Sequence, residues 1–394
     1  MTMPPQGKPV IATGQQIGAG WSPALSVAKA LAALAEARRT GGEAVYWLAD
    51  EDHDRTEVAA TVGWQGERLV RHRFRFEARP GTATGWLPWT PGHQTEATDL
   101  WGPLPEPTEP TLRGHVLALG APLWARGLRP FSPTTPALRA PVQPELERWR
   151  ALNLEAALER QASRLEAEGA PLPLDPRRQS AWFSLDPRSG RRLRLAPGEP
   201  LPQGCWLSPG AALRPLLQSL MLPVTAAVLG PAEQAYWRLC EPLWDLVGLS
   251  APRIISRPSV FAVPPGFRVA PEQLEALRTG AWAALKAWPG ALPSGRFTPP
   301  APDSGWPAPL QDRFQRELAR TANRLGKLDH RLHREAAAGM LGGDPERLRQ
   351  ALFPLGRAQE RILPGVPWLR SEALLDAILE RMDGATPVLV VEDT

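Results

Sequence analysis

The run Ala49-Asp50-Glu51-Asp52-His53-Asp54, with Glu57 a turn further on, sets five carboxylates and an imidazole close together. Crowded like charges cost stability, and they lift carboxyl pKa values toward the range where protons move at neutral pH. Capping a helix needs one or two acidic residues, not five. Glu51, Asp52, His53 and Asp54 are therefore the candidate catalytic residues. Asp52, His53 and Asp54 are the best placed to act as general base. The same residue types suit a metal ion, so metal-dependent hydrolysis built on Glu51-Asp52-His53-Asp54 is the rival chemistry.

A second set lies nearer the N-terminus, in Thr13-Gly14-Gln15-Gln16-Ile17-Gly18. It matches neither GxGxxG nor GxxxxGK[ST]. Ser22, Ser26 and Lys29 follow at helical spacing and make a polar stripe on an otherwise apolar helix. Helical side chains lean toward the N-terminus, so Lys29 can reach back to the turn and neutralise a phosphate or carboxylate. A third set is LSPGAALRPLLQ (207–218) followed by LGPAEQAYW (229–237). Arg214 and Gln218 share a helix face and suit an anion or a sugar. Pro215 reads as a kink in that helix. Glu233 follows Gly230 at capping distance, Tyr236 offers a stacking ring, and Trp237 and Cys240 read as core.

These residues need elements to hold them. KPVIAT (8–13) and AVYWLA (44–49) read as buried strands joined by a helix over 22–39. Ser22 is its expected N-cap, Pro23 its first residue, and Gly41-Gly42 its end. Strand, helix, strand at this length predicts a right-handed βαβ unit in a parallel sheet, with ligands beyond the carboxyl ends of the strands. There the helix N-terminus would offer N–H groups to an anion. A helix from Ser208-Pro209, a strand over 224–230, a helix from Gly230-Pro231 and a strand over 252–258 extend the pattern.

The expected organisation is 1–76 as the first part of a Rossmann-like core and 77–200 as an inserted or cap region with one helix near 144–168. Residues 201–265 complete the core, 266–343 form a helical coiled-coil segment, and 344–394 return to the core. The coiled coil rests on two stripes. Leu274, Leu277, Ala281 and Trp288 mark one helix, and Phe314, Leu318, Leu325, Leu328 and Leu332 mark its antiparallel partner. That seam also suits a second copy of the chain, so a homodimer is expected.

Composition bounds the function. The chain has 394 residues, 43% hydrophobic and 22% charged, which reads as soluble and globular. Net charge is +4 and the basic residues, nearly all arginine, are spread out, so nucleic acid is not an expected partner. No apolar run reaches the ~20 residues of a membrane helix, and no signal peptide is visible. Two cysteines give neither a disulfide framework nor a structural metal site, and a reducing cytoplasm is the expected compartment.

Five stretches, TGQQxG with its helical lysine, VYWLADEDHDxxE, LSPxxxLRPLxQ, LGPAEQAYW and PRIISRPS, together resemble the BshC family in order over roughly residues 9–260. LFPLGRAQERILP matches its tail more loosely. The resemblance implies an α/β, Rossmann-like, nucleotidyltransferase-related core with an inserted region and a short antiparallel helical coiled coil. It implies addition of cysteine to the amino group of glucosaminyl-malate by amide formation, the last step of bacillithiol biosynthesis. ATP (or ADP) would activate the cysteine carboxylate, with Mg2+ beside it. The binding set becomes Thr13, Gly14, Gln15, Gln16, Gly18, Ser22, Lys29, Ser208, Arg214, Gln218, Gly230, Glu233, Tyr236 and Arg257. Two departures stand out: the chain is shorter than expected for the family, and Ala28 stands where a His is common. A non-enzymatic metabolite-binding protein is a third reading.

Overall fold

The computed structural model describes residues 7–65, 68–285, 305–382, 386 and 388–392. Its centre is a five-stranded sheet of β1 (Val10–Gln15), β2 (Glu43–Leu48), β5 (Arg129–Phe131), β9 (Val224–Leu229) and β10 (Arg253–Ser256). The spatial order is β10-β9-β1-β2-β5, and all the pairings are parallel. The chain thus builds outward from β1 to β2 and β5, then returns to the other side of β1 for β9 and β10. That reversal makes the carboxyl ends of β1 and β9 a topological switch point, where open α/β sheets leave a crevice.

Local sequence explains the central unit. Val10, Ile11 and Ala12 of β1 are buried, as are Ala44 to Leu48 of β2, which suits strands covered on both faces. Between them runs α1 (Leu25–Thr40), whose Val27, Leu31 and Leu34 are buried. It stops at Gly41, whose φ of 66° is a left-handed cap that a Cβ would penalise. The main core joins Val45, Trp47 and Phe131 of the sheet to Trp149, Leu158 and Leu217 of flanking helices.

The described residues also form three smaller sheets. β3 (Ala60–Gln65) and β4 (Arg68–Arg73) form an antiparallel hairpin. β6 (Trp182–Leu185) pairs antiparallel with β7 (Arg192–Arg194) and β8 (Trp206–Pro209). β11 (Ser259–Val263) pairs with β12 (Val388–Glu392). The chain divides into two compact units. One holds the residues up to Val260 with Glu360–Leu389, the other Phe261–Gln359 with the residues from Val390. In the second unit the helix Ala308–Leu341 is the longest element, with Ala337 and Leu341 buried and the helix Pro345–Leu352 following it.

The α/β architecture is the expected one, and several details differ. β1 extends through Gln15, so Thr13, Gly14 and Gln15 are strand residues and only residues 16–18 form the turn. A 3-10 turn (Ala19–Trp21) and a cis Ser22-Pro23 bond precede α1, so Ser22 is not its N-cap. The Ser22 hydroxyl instead meets Thr61 Oγ1 at 2.7 Å. Pro215 does not kink a helix: it lies in the first turn of the helix Arg214–Met221, where no N–H is needed, and Ser208-Pro209 ends β8. The single helix expected near 144–168 is two, Gln143–Ala151 and Leu154–Ala167, broken at Asn153 with φ 51°. The region 77–200 is not wholly a cap, because β5 lies in it and forms a sheet edge. The final strand pairs with β11 and not with the five-stranded sheet. The first coiled-coil helix ends at Thr279, where Gly280 takes a left-handed cap, and Trp288 lies outside the described residues. Among the described residues no second long helix lines the seam.

Candidate functional site

The switch point holds a cavity of about 240 Å³ in the first unit. Three strand ends build it. β1 supplies Thr13, Gly14 and Gln15 with Gln16 beyond, the segment after β2 supplies Ala49 and Asp52, and the end of β9 leads to Glu233 and Tyr236. Arg214 and Gln218 close it from the helix Arg214–Met221, and Glu57 lines it from α2 (Arg55–Ala59). Thr13 fixes the β1 end by donating its hydroxyl to Val228 O of β9 at 3.0 Å. Gly14 permits the close approach to β2: a Cβ there would lie 2.5 Å from Trp47 O.

Lys29 is fully buried beneath this floor. Its ammonium donates to Gly14 O, to Gln15 Oε1 at 3.2 Å and to Glu233 Oε1 at 2.6 Å. Burial pulls its pKa down and Glu233 opposes that. The lysine does reach back to the β1 end, as its helical position requires. All three of its donors are used there, so it braces the floor and ties β1 to the residue that caps the helix Pro231–Trp237. Glu233 Oε2 accepts the Gly230 N–H at 2.8 Å in that cap.

The acidic run fans out instead of converging. Asp50 and Glu51 are both fully buried. Asp50 Oδ2 accepts from Ser132 (2.5 Å), Thr134 (3.0 Å) and Arg113 (3.4 Å). Burial outweighs these partners and pushes its carboxyl up to about 6. Glu51 Oε2 accepts from Arg139 at 3.1 Å and Ser208 at 2.9 Å. It does not line the cavity, which argues against Glu51 as a reacting group, and it takes Ser208 away from substrate with it. Asp52 faces the cavity. Its Oδ2 accepts from Arg214 at 2.7 Å and its Oδ1 from the His53 N–H at 2.7 Å. Burial raises its pKa, but Arg214 and Arg192 together hold it well below the usual carboxylate range. Asp54 caps α2 through Thr56 N at 2.8 Å and Glu57 N at 3.4 Å, and its carbonyl accepts from Gln16.

His53 has a defined tautomer. Arg192 donates to its Nδ1 at 2.9 Å, and a guanidinium has no acceptor, so Nδ1 carries the lone pair and Nε2 the proton. Burial, then Arg192, lowers its pKa, which keeps the ring neutral near pH 7. In this arrangement His53 offers a hydrogen-bond donor and not a base, contrary to the expectation from its type. Arg192 and Arg139 were not singled out by sequence reasoning. Both are buried arginines from the region 77–200, and their role depends on long-range packing that no local motif marks.

The remaining candidates separate in the same way. Gly18 and Gly230 shape the turns without lining the cavity. Arg257 is paired with Glu360 at 2.8 Å and sits outside it. Tyr236 lines it with a buried phenol whose pKa burial raises. Trp237 and Cys240 are core, and the thiol donates to Ala212 O. Among the described residues no group of three His, Cys, Asp or Glu side chains is arranged to hold a metal ion. The fan of the acidic run is the reason.

The charge of this cavity does not favour the phosphates of a nucleoside triphosphate. The charged groups facing the cavity are Asp52, Glu57, Glu233 and one cation, Arg214. The α1 N-terminus offers no cradle, since Ala24 N donates to Leu363 O and Ser26, Val27 and Ala28 N donate back to Pro23 and Ala24 carbonyls. The cavity suits a small molecule carrying both an ammonium and a carboxylate, or the ends of two such molecules.

Comparison with known proteins gives concordant results. The family model described as "Bacillithiol biosynthesis BshC, N-terminal Rossmann-like domain" matches residues 202–258. A Thermus thermophilus protein named "Putative cysteine ligase BshC" is 29% identical over 389 residues, covering 90% of this chain and 77% of its own. Proteins of the same name are 29% identical in Solibacter usitatus and 26% in Shouchella clausii. They cover 63% and 65% of this chain, and 54% and 55% of their own. The ordered motifs, the matched Rossmann-like model and these relatives agree in making the chain similar to proteins of the BshC family.

Proposed function

We propose that the chain is a ligase that joins the carboxylate of cysteine to the amino group of glucosaminyl-malate, the last step of bacillithiol biosynthesis. The observation that carries this reading is the charge pattern of the switch-point cavity. Arg214 with Gln218 suits a carboxylate, and Glu57 suits an ammonium, the two groups an amide-forming enzyme must bring together. The name borne by the similar proteins agrees with it. ATP enters as the cosubstrate that activates the carboxylate, with Mg2+ accompanying it; the cavity residues are not assigned to hold either. The relevant partners are these small molecules and a second copy of the chain. We place the reaction in the cytoplasm, where the two free cysteines stay reduced. Among the described residues no helix is long and apolar enough to cross a membrane.

The test is incubation of the purified protein with glucosaminyl-malate, cysteine and ATP, followed by mass spectrometry. The expected product is the amide of the two, formed only when ATP is present. Folded protein that yields no amide under these conditions overturns the assignment. Amide formed without ATP would remove the nucleotide and leave the ligation.

A further inference from the structure

We propose that Glu57 is the proton acceptor for the amine nucleophile. This rests on the ligase reading above, and it assigns the step that the His53 tautomer leaves without a base. Three carboxylates line the cavity: Asp52, Glu57 and Glu233. Both oxygens of Asp52 are taken, by Arg214 and the His53 N–H. Both oxygens of Glu233 are taken, by Lys29 and the Gly230 N–H. Only Glu57 presents a carboxylate with no hydrogen-bond or ion-pair partner among the described residues, while its own N–H is tied to Asp54 at the start of α2. The backbone is therefore anchored and the side chain is free to meet substrate.

The surrounding charges suit the task. Glu57 faces Asp54 and Asp52, while Arg214 meets Asp52 through Nη1 and the Lys29 ammonium is taken by Glu233. Partial withdrawal from water, then Asp54 and Asp52, raises the Glu57 carboxyl above its ordinary value, toward the range where a carboxylate is a useful base. The remaining titratable groups near the cavity do not compete: the Tyr236 phenol is raised by burial, and His53 Nδ1 is blocked by Arg192. In the step itself the substrate ammonium gives one proton to the Glu57 carboxylate. This leaves a neutral amine with a lone pair and a protonated carboxyl. The lone pair then forms the C–N bond to the activated cysteinyl carboxyl; the leaving group departs with its electron pair and takes up the second proton of the attacking nitrogen, which leaves a neutral amide.

The experiment uses the full chain with Glu57→Gln and Glu57→Asp, and follows amide formation from pH 5.5 to 8.5 alongside wild type. Glu57→Gln is expected to lower kcat about 100-fold or more, and to abolish the acidic limb of the kcat profile. Glu57→Asp should recover part of the rate and keep a limb. Calorimetric binding of glucosaminyl-malate at pH 7 should weaken in Glu57→Gln, because the ammonium loses its counter-charge. Wild-type kcat and pH profile in Glu57→Gln, with wild-type protein active, overturn the role of Glu57 and leave the ligase reading intact. Wild-type protein that makes no amide overturns both. A rate loss with an unmoved acidic limb assigns Glu57 to packing and also overturns the proposal.

Discussion

Lys29 and Asp50 show how burial reassigns residues that look alike in sequence. Lys29 is read from sequence as a group that neutralises a phosphate or carboxylate; its full burial and three protein acceptors give it a bracing role in the floor. Lys29→Met should cost about 3 kcal/mol, near the low end for breaking a buried pair because Glu233 keeps some contact with water. Urea denaturation checks this, and an unmoved midpoint would mean that the ammonium carries no weight in the floor. Asp50 titrates differently from its neighbour Asp52. Its folded carboxyl is pushed up to about 6 from 3.8, so between those values the native state binds more protons than the unfolded chain. Stability from this group therefore falls as pH rises through that window. Wild type should lose ground relative to Asp50→Asn between about pH 4 and pH 7 in paired denaturation curves, and parallel curves would rule out the shift. The residue types of the acidic run were legible in the sequence, and their division of labour was not. Whether a carboxylate meets Arg139, Arg214 or empty cavity is decided by segments more than 80 residues away.

At the scale of elements, the legible parts were those with a strong local signal. Buried apolar runs marked β1, β2 and β9, and Gly41 marked the end of α1. β5 escaped notice because it has three residues, one of them Pro130, and an edge position tolerates such a strand. The proline at 215 misled because Pro reads as a helix breaker until the helix start is known. Gly14 carries the element-scale prediction. It is paired with Trp47 in the β1–β2 register, and a Cβ there would meet Trp47 O at 2.5 Å and Trp47 Cβ at 2.8 Å. Backbone cannot yield as a flexible side chain can, so Gly14→Ala should part the strands at the cavity floor. The expected loss is about 1–3 kcal/mol, with lowered turnover because Gln15 and Lys29 move with β1. A wild-type denaturation midpoint for this variant would show that the strand pair opens without strain.

At the scale of the whole molecule, the long helix Ala308–Leu341 poses the open question of assembly. Its 34 residues extend about 50 Å. Leu325 and Leu328 of the expected seam are 44% and 42% exposed, and Leu310 and Met340 add to the apolar surface. Phe314, Leu318 and Leu332 are partly buried, so the seam is unevenly covered. The intramolecular partner expected from Leu274 and Leu277 is only six residues long and capped at Gly280, too short to cover a stripe of this length. The apolar spacing was legible; what covers it was not, because a heptad pattern states that a helix wants a partner without saying which. A second copy of the chain, its own seam laid against this one, satisfies that need symmetrically. Light scattering at micromolar protein should therefore give the mass of a dimer. Leu325→Glu combined with Leu328→Glu should return it to the monomer mass, since each charge would be desolvated at the joint face, while far-ultraviolet circular dichroism stays unchanged because both positions are exposed within one chain. A wild-type monomer would reject the assembly, and a dimer that survives both substitutions would move the interface away from this helix.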